Sequence, residues 1–140
     1  MAINPVNPSN HAAFNRAQDI VGGVGYILQN GSTVIDWGNE KTSKSFYETR
    51  HPRTAFAKLK DGRFLLVTID GRQPEHSIGV GLEEFAELMK ELGAIELINL
   101  DGGGSTAMFL DGKVINKPSD KEGERRVGDA LLVFPKSIQK

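Results

Sequence analysis

Four short polar clusters hold the reactive side chains of this 140-residue chain: His51-Pro52-Arg53-Thr54, Asp70-Gly71-Arg72, the run Asp101-Gly102-Gly103-Gly104-Ser105-Thr106, and Pro118 to Arg126. Guanidinium forks bind phosphate, and carboxyl groups protonate a leaving oxygen or activate water. Two carboxylates facing two or more arginines therefore suit hydrolysis of a phosphate-linked sugar, with Asp70 and Asp101 as the acids. The run from Asp101 is the most telling of the four. Three consecutive glycines free the backbone for positive φ and leave amide N–H groups unshielded, which favours close approach to an anionic or polyhydroxylated ligand. The competing reading is a tight turn, because Asp-Gly and Gly-Gly are ordinary hairpin signals. One glycine would serve a turn, and three cost backbone entropy.

The glycines are not a nucleotide P-loop, since no Gly-Lys-Ser or Gly-Lys-Thr follows, and Gly22-Gly23-Val24-Gly25 lacks the third glycine of a dinucleotide fingerprint. Ser105 has no Gly-x-Ser-x-Gly elbow around it, so its hydroxyl is better placed to bind substrate than to attack it. His51 and His76 adjoin the clusters and could act as acid or base near neutral pH, or serve as structural hydrogen-bonding groups. His11 lies in the polar start. Asp61 and Asp111 each precede a glycine between strand-like segments and read as turn formers.

The clusters sit at the ends of predicted elements. Arg53 to Leu59 and Arg63 to Ile69 flank Lys60-Asp61-Gly62 and form an antiparallel hairpin, whose equal arms bring Arg53 and Asp70 to one edge. Leu82, Phe85, Ala86, Met89 and Leu92 follow helical spacing, with Gly93 as the stop. The strand Ala94 to Leu100 follows that helix, and a strand, helix, strand order makes it a parallel neighbour of the Asp70 strand, which would add Asp101 to the same edge. Upstream, Phe14 to Ile20 reads as a short helix, Val24 to Gln29 as a strand, and Asn30-Gly31 as a hairpin turn. Asp36 to Thr49 reads as a polar loop with Trp37, Phe46 and Tyr47 as core anchors or ligand-stacking groups. Thr106 to Leu110 and Lys113 to Ile115 form a second hairpin around Asp111-Gly112, and Ala130 to Phe134 a last buried strand.

The length suits one domain. We divide it into a polar segment 1–16, a domain 17–135 and a tail 136–140. A formal net charge of -1 gives no global attraction to nucleic acid or membrane, so any anion affinity is local. With no cysteine, thiolate chemistry and sulfur-ligated zinc are excluded. The start of the chain carries no signal-peptide pattern and no segment reaches membrane-spanning length, so the chain reads as soluble: cytoplasmic as written, or excised from a secreted or phage protein. No metal or cofactor is expected; carboxylates and carbonyls suit calcium or magnesium, but no EF-hand spacing is present.

These clusters together resemble the phosphodiester glycosidase family. The resemblance rests on His51-Pro52-Arg53-Thr54-Ala55, Ile69-Asp70-Gly71-Arg72, Gly93-Ala94 with Asn99-Leu100-Asp101-Gly102-Gly103-Gly104-Ser105-Thr106, Pro118-Ser119-Asp120 with Glu124-Arg125, and Ala130 to Val133. It runs from about Ala17 to Phe134, including Gln18 to Gly23. The resemblance implies an α+β fold around a mixed, curved sheet, and hydrolysis of the bond between a sugar's anomeric carbon and a phosphodiester. It implies phosphate binding by Arg53, Arg72 and Arg125, acid or base roles for Asp70 or Asp101, and positioning of the leaving oxygen by the amides of Gly102, Gly103 and Gly104 with Ser105 and Thr106; Thr54 joins the substrate-binding set. Two departures from the family pattern stand out. Family domains carry a further amino-terminal portion with an Asn-Gly-Gly segment, which raises a homo-oligomer or a missing partner segment, and Phe56-Ala57 stands where a smaller, glycine-containing pair is usual. The alternatives to a hydrolase are a non-catalytic saccharide- or nucleotide-phosphate-binding module and a structural subunit of a phage or cell-surface assembly.

Overall fold

The computed structural model describes residues 14–36, 38, 40 and 42–134. His11, Trp37 and the tail 136–140 lie outside them. Five strands build the main sheet: β1 (Tyr26–Gln29), β2 (Ser32–Thr33), β3 (Arg53–Leu59), β4 (Phe64–Ile69) and β5 (Ala94–Asn99), in the spatial order β2-β1-β5-β3-β4. Helix α1 (Lys44–Glu48) precedes β3, helix α2 (Leu82–Glu91) links β4 to β5, and a small hairpin of β6 (Phe109–Leu110) and β7 (Lys113–Val114) follows. The architecture is α+β.

Each strand pairing in the main sheet is antiparallel, where a mixed sheet was expected. The reason lies in the crossover through α2. It carries β5 past β4 and over β3, so β5 runs in the same direction as β4 but pairs with β3 and β1. Register follows the side-chain alternation. Arg53, Ala55, Ala57 and Leu59 share one face of β3, with Leu97 and Asn99 beside Ala57 and Ala55 on β5. Against that face α2 packs Leu82, Phe85, Ala86 and Met89, all fully buried. The helix has glutamates in its first turn and Lys90 in its last, which suits the macrodipole, and Gly93 at φ +85° ends it. Leu92 falls beyond that face and is exposed.

Hairpin turns fall where expected. Asn30-Gly31 and Asp111-Gly112 take two successive positive φ values, the form that matches strand twist. Asp61 accepts from the Arg63 backbone N–H and side chain. Three readings change. Residues 15–20 are turn and irregular chain rather than helix, since a segment of that length is too short to hold a helix without packing. The 36–49 stretch contains α1, capped by the Ser43 hydroxyl, which accepts from the Phe46 N–H. Ala130 to Phe134 forms no strand and stands open to solvent, with Leu132, Val133 and Phe134 more than two-thirds exposed; an apolar run becomes a strand only beside a partner edge, and among the described residues it has none. No described helix is long and apolar enough to cross a membrane.

Candidate active site

The β3–β4 register pairs Arg53 with Ile69, so Arg53 and Asp70 do meet at one sheet edge, and the direction of β5 delivers Asp101 there. A cleft of about 170 Å³ opens at this edge. Of the residues singled out by sequence, His51, Arg53, Arg72, Asp101, Gly102 and Gly103 line it, joined by Phe46, Pro52 and Asn99. Phe46 thus serves the site wall, while Tyr47 is a buried core anchor.

Arg53 is the most deeply held cation of the group. It is 2% exposed, its Nε donates to the Val80 carbonyl at 3.1 Å, and its Nη2 donates to the Phe46 and Thr49 carbonyls at 2.8 and 3.0 Å. The guanidinium carbon lies 5.0 Å from the centre of the Phe46 ring, within cation–π range. Burial, and then the charge of Arg72, bring its pKa down to about 10, which still leaves it protonated at neutral pH. As a phosphate ligand it has Nη1 left, the nitrogen with no partner among the described residues. Its other donors tie α1 and the Val80 strand-like bridge to the cleft wall.

Arg72 adopts φ +59°, unusual for a side chain of its size and typical of residues held for a site. Its guanidinium lies over the glycine loop: a Cβ on Gly103 would come within 3.1 Å of both Nη atoms. Its Nη2 and Nε lie 3.2 and 3.4 Å from His51 Nδ1. An arginine can only donate, so Nδ1 accepts and the neutral imidazole carries its proton on Nε2. Burial first, then Arg72 and Arg53, lower the His51 pKa, which keeps the ring neutral at pH 7.

The glycine loop turns through a short 3₁₀ helix, Gly103–Ser105. Its amides are largely used internally: Gly102 N–H donates to Asp101 Oδ1 at 2.8 Å, Gly103 N–H to the Pro52 carbonyl at 2.9 Å, and Ser105 and Thr106 N–H to the Gly102 and Gly103 carbonyls. That leaves the Gly104 N–H without a partner among the described residues, in place of the row of donors expected. The Arg125–Asp120 pair, joined through Nε–Oδ2 at 2.7 Å and Nη2–Oδ1 at 3.1 Å, lies directly on Gly104. That hydrogen-bonded pairing holds the Asp120 carboxyl below the usual range.

A phosphodiester glycosidase family model matches residues 3–134. The chain belongs to this family. It is 31% identical over 127 residues to the mouse N-acetylglucosamine-1-phosphodiester alpha-N-acetylglucosaminidase, covering 84% of this chain and 23% of that protein. Among solved structures it is similar to a Burkholderia pseudomallei protein described as exported, at 51% identity and TM-score 0.59, covering 61% of this chain and 16% of that one. It is also similar to the zebrafish N-acetylglucosamine-1-phosphodiester alpha-N-acetylglucosaminidase catalytic domain auto-inhibited by pro-peptide, at 31% identity and TM-score 0.60, covering 70% of this chain and 34% of that one. The chain spans about a quarter of the curated mouse relative.

Other motif positions of this phosphodiester glycosidase domain lie behind the cleft. Asp70 takes Asn116 Nδ2 and the Lys117 N–H on Oδ1 and His76 Nε2 on Oδ2, at 2.8 to 3.0 Å. Burial opposes its ionisation, but those hydrogen bonds outweigh it and hold the carboxyl below its usual range. Asp70 is therefore a hydrogen-bonded carboxylate that anchors the 116–118 segment, with His76 as its partner. Thr106 is fully buried and accepts from the Thr54 hydroxyl at 3.2 Å, so the pair fastens the loop to β3. Phe56 stacks on Phe64 on the opposite face of β3 from Arg53, so its bulk does not narrow the cleft. Gly71 permits the chain to pass Pro52 closely, since a Cβ there would meet the Pro52 nitrogen at 2.7 Å. Asn99 and Asn116 went unmarked as site residues. Their sequence signal is faint: Asn99 is an amide in phase with the buried Leu97 on a strand that also carries Glu96. Among the described residues no group of three or more His, Asp or Glu is placed to hold a metal ion.

Proposed function

We propose that this domain hydrolyses the bond between a sugar's anomeric carbon and a phosphodiester, with a substrate resembling N-acetylglucosamine 1-phosphodiester. The observation that carries this is one small cleft lined by Arg72, Arg53, a neutral His51 and the Asp101 carboxylate. The leaving group is a phosphate monoester whose second ionisation lies near 6, so its departure needs charge stabilisation more than protonation. Arg72, aided by Arg125 and the Gly104 N–H, supplies that charge, the His51 Nε2–H offers a neutral donor, and Asp101 activates water for attack on the anomeric carbon. Ser105 is a further hydroxyl at the loop.

One observation favours a second reading, a non-catalytic sugar-phosphate-binding module. Glycosidases generally work with two carboxyl groups, and among the described residues Asp101 alone brings a carboxylate to the lining of this cleft, while Asp70 is hydrogen-bonded to Asn116, Lys117 and His76. Hydrolysis of a chromogenic sugar 1-phosphodiester, with and without added divalent ions, separates the two. Turnover that falls by about 10² to 10⁴ in Asp101→Asn, with ligand affinity largely kept, is the result expected of a catalytic base. Absence of turnover with intact sugar-phosphate binding would point to the binding module or to an enzyme that needs a partner segment.

A further inference from the structure

The cleft's cations account for the phosphate, but they leave one buried group unexplained. Asn99 ends β5 on the α2 face and is 2% exposed. Its Nδ2 donates to the Val24 and Leu100 carbonyls at 2.9 and 3.0 Å, which settles the orientation of the amide. The other end, Oδ1, is buried without a hydrogen-bond partner in the described residues, although Asn99 lines the cleft. Within the sheet, Ala55 opposite it on β3 offers only a methyl group, and Gly25 beside it offers no side chain. Buried acceptors are almost always paired, so an orphan in a site wall calls for a donor brought by the ligand.

We infer that Asn99 Oδ1 is the sugar-recognising acceptor of this site, receiving a hydrogen bond from the hydroxyl or amide N–H on the ring carbon next to the phosphate-bearing carbon. The inference rests on the phosphate-binding reading above. A phosphodiester presents acceptors only, so it pairs with Arg72, Arg53 and His51 and cannot satisfy Oδ1. A volume of about 170 Å³ corresponds to roughly six waters, at ~30 Å³ each, enough for the phosphate and the near edge of one ring. The ring donor that stays within such a space is the one adjacent to the phosphate, and contacts at that position are ones glycosidases strengthen toward the transition state. Because two backbone carbonyls hold the amide, the acceptor is oriented before ligand arrives.

Calorimetric titration of the full chain with inorganic phosphate, glucose 1-phosphate and 2-deoxyglucose 1-phosphate tests this without requiring turnover. Wild type should bind 2-deoxyglucose 1-phosphate about tenfold more weakly than glucose 1-phosphate. Asn99→Leu should bind inorganic phosphate as wild type does and no longer distinguish the two sugars. Equal affinity of wild type for both sugars, or discrimination that survives in Asn99→Leu, overturns the role of Asn99 while phosphate binding stands. Should Asn99→Leu not fold, the wild-type pair of sugars decides the matter, with Asn99→Ser as the second variant. Wild type that binds none of the three overturns the phosphate reading and this inference with it.

Discussion

Gly104→Ala separates the construction of the site from the stability of the fold. A Cβ at Gly104 would lie 1.9 Å from Arg125 Nη2, 2.4 Å from Asp120 Oδ1 and 2.5 Å from Arg125 Cζ. Non-bonded atoms settle near 3.5 to 4.0 Å, so the Arg125–Asp120 pair must retreat by about 1.5 Å. Both obstacles are ends of side chains rather than backbone, and 48% of the Arg125 side chain is already exposed, so the pair can swing into solvent. Gly104 itself does not have a positive φ, and alanine there restricts the unfolded chain, which offsets part of the disturbance. We expect the melting temperature to move by no more than about 4 °C. Function should respond far more, because a displacement of that size at a positioning group costs on the order of 10²-fold. The assay is kcat/KM on a sugar 1-phosphodiester, or glucose 1-phosphate affinity, measured beside thermal denaturation. Gly22→Ala, at a position with open space around it, is the control and should change neither quantity. Wild-type activity in Gly104→Ala would refute the view that the pair resting on the glycine loop sets the site. A collapse in melting temperature would refute the view that the pair can move aside.

Three further outcomes follow from the hydrogen-bond networks. Asp70→Asn should destabilise the fold by about 1–3 kcal/mol in urea titrations, because Asn116, Lys117 and His76 all donate to the native carboxylate. The native Asp70 has a lowered pKa, so its contribution is complete above the ordinary carboxylate range near ~4 and fades as pH falls through the folded value; the variant should lose that acid slope. Arg72→Met should raise the His51 titration midpoint, followed by imidazole NMR, toward but not up to its ordinary value, since burial remains the larger cause of its depression. Arg53→Lys should lower stability by roughly 3 kcal/mol, measured by denaturant midpoint, because one ammonium cannot reproduce the planar fork that serves three carbonyls.

The parts of the fold that could be read from sequence were those governed by local geometry. Asp61-Gly62 fixed a hairpin of equal arms, and from that alone Arg53 and Asp70 fall at the same edge. The spacing of Leu82, Phe85, Ala86 and Met89 marked the buried face of α2. Which strand lies beside β5 was not legible, because a crossover dictates direction while long-range pairing selects the neighbour. Side-chain orientation was the harder question. Arg53 stands in phase with Ala55, Ala57 and Leu59, an inward row that turns it into a buried tie between elements as well as a wall of the cleft. Asp70 and Asp101 looked equivalent as strand-end acids, and only the return of Asn116 and Lys117 tells them apart, a contact across more than forty positions.

The central place of β5 has a consequence for how the cleft is built. The β1–β2 and β3–β4 hairpins close over short separations and can form early. Until β5 enters between them, β1 and β3 each present an open edge, the kind that recruits strands from other chains. The same entry carries Asn99 and Asp101 to Arg53. Any folding intermediate in which β5 is still undocked therefore lacks the cleft altogether, so the cleft and the protection of both inner strand edges arise in the same step.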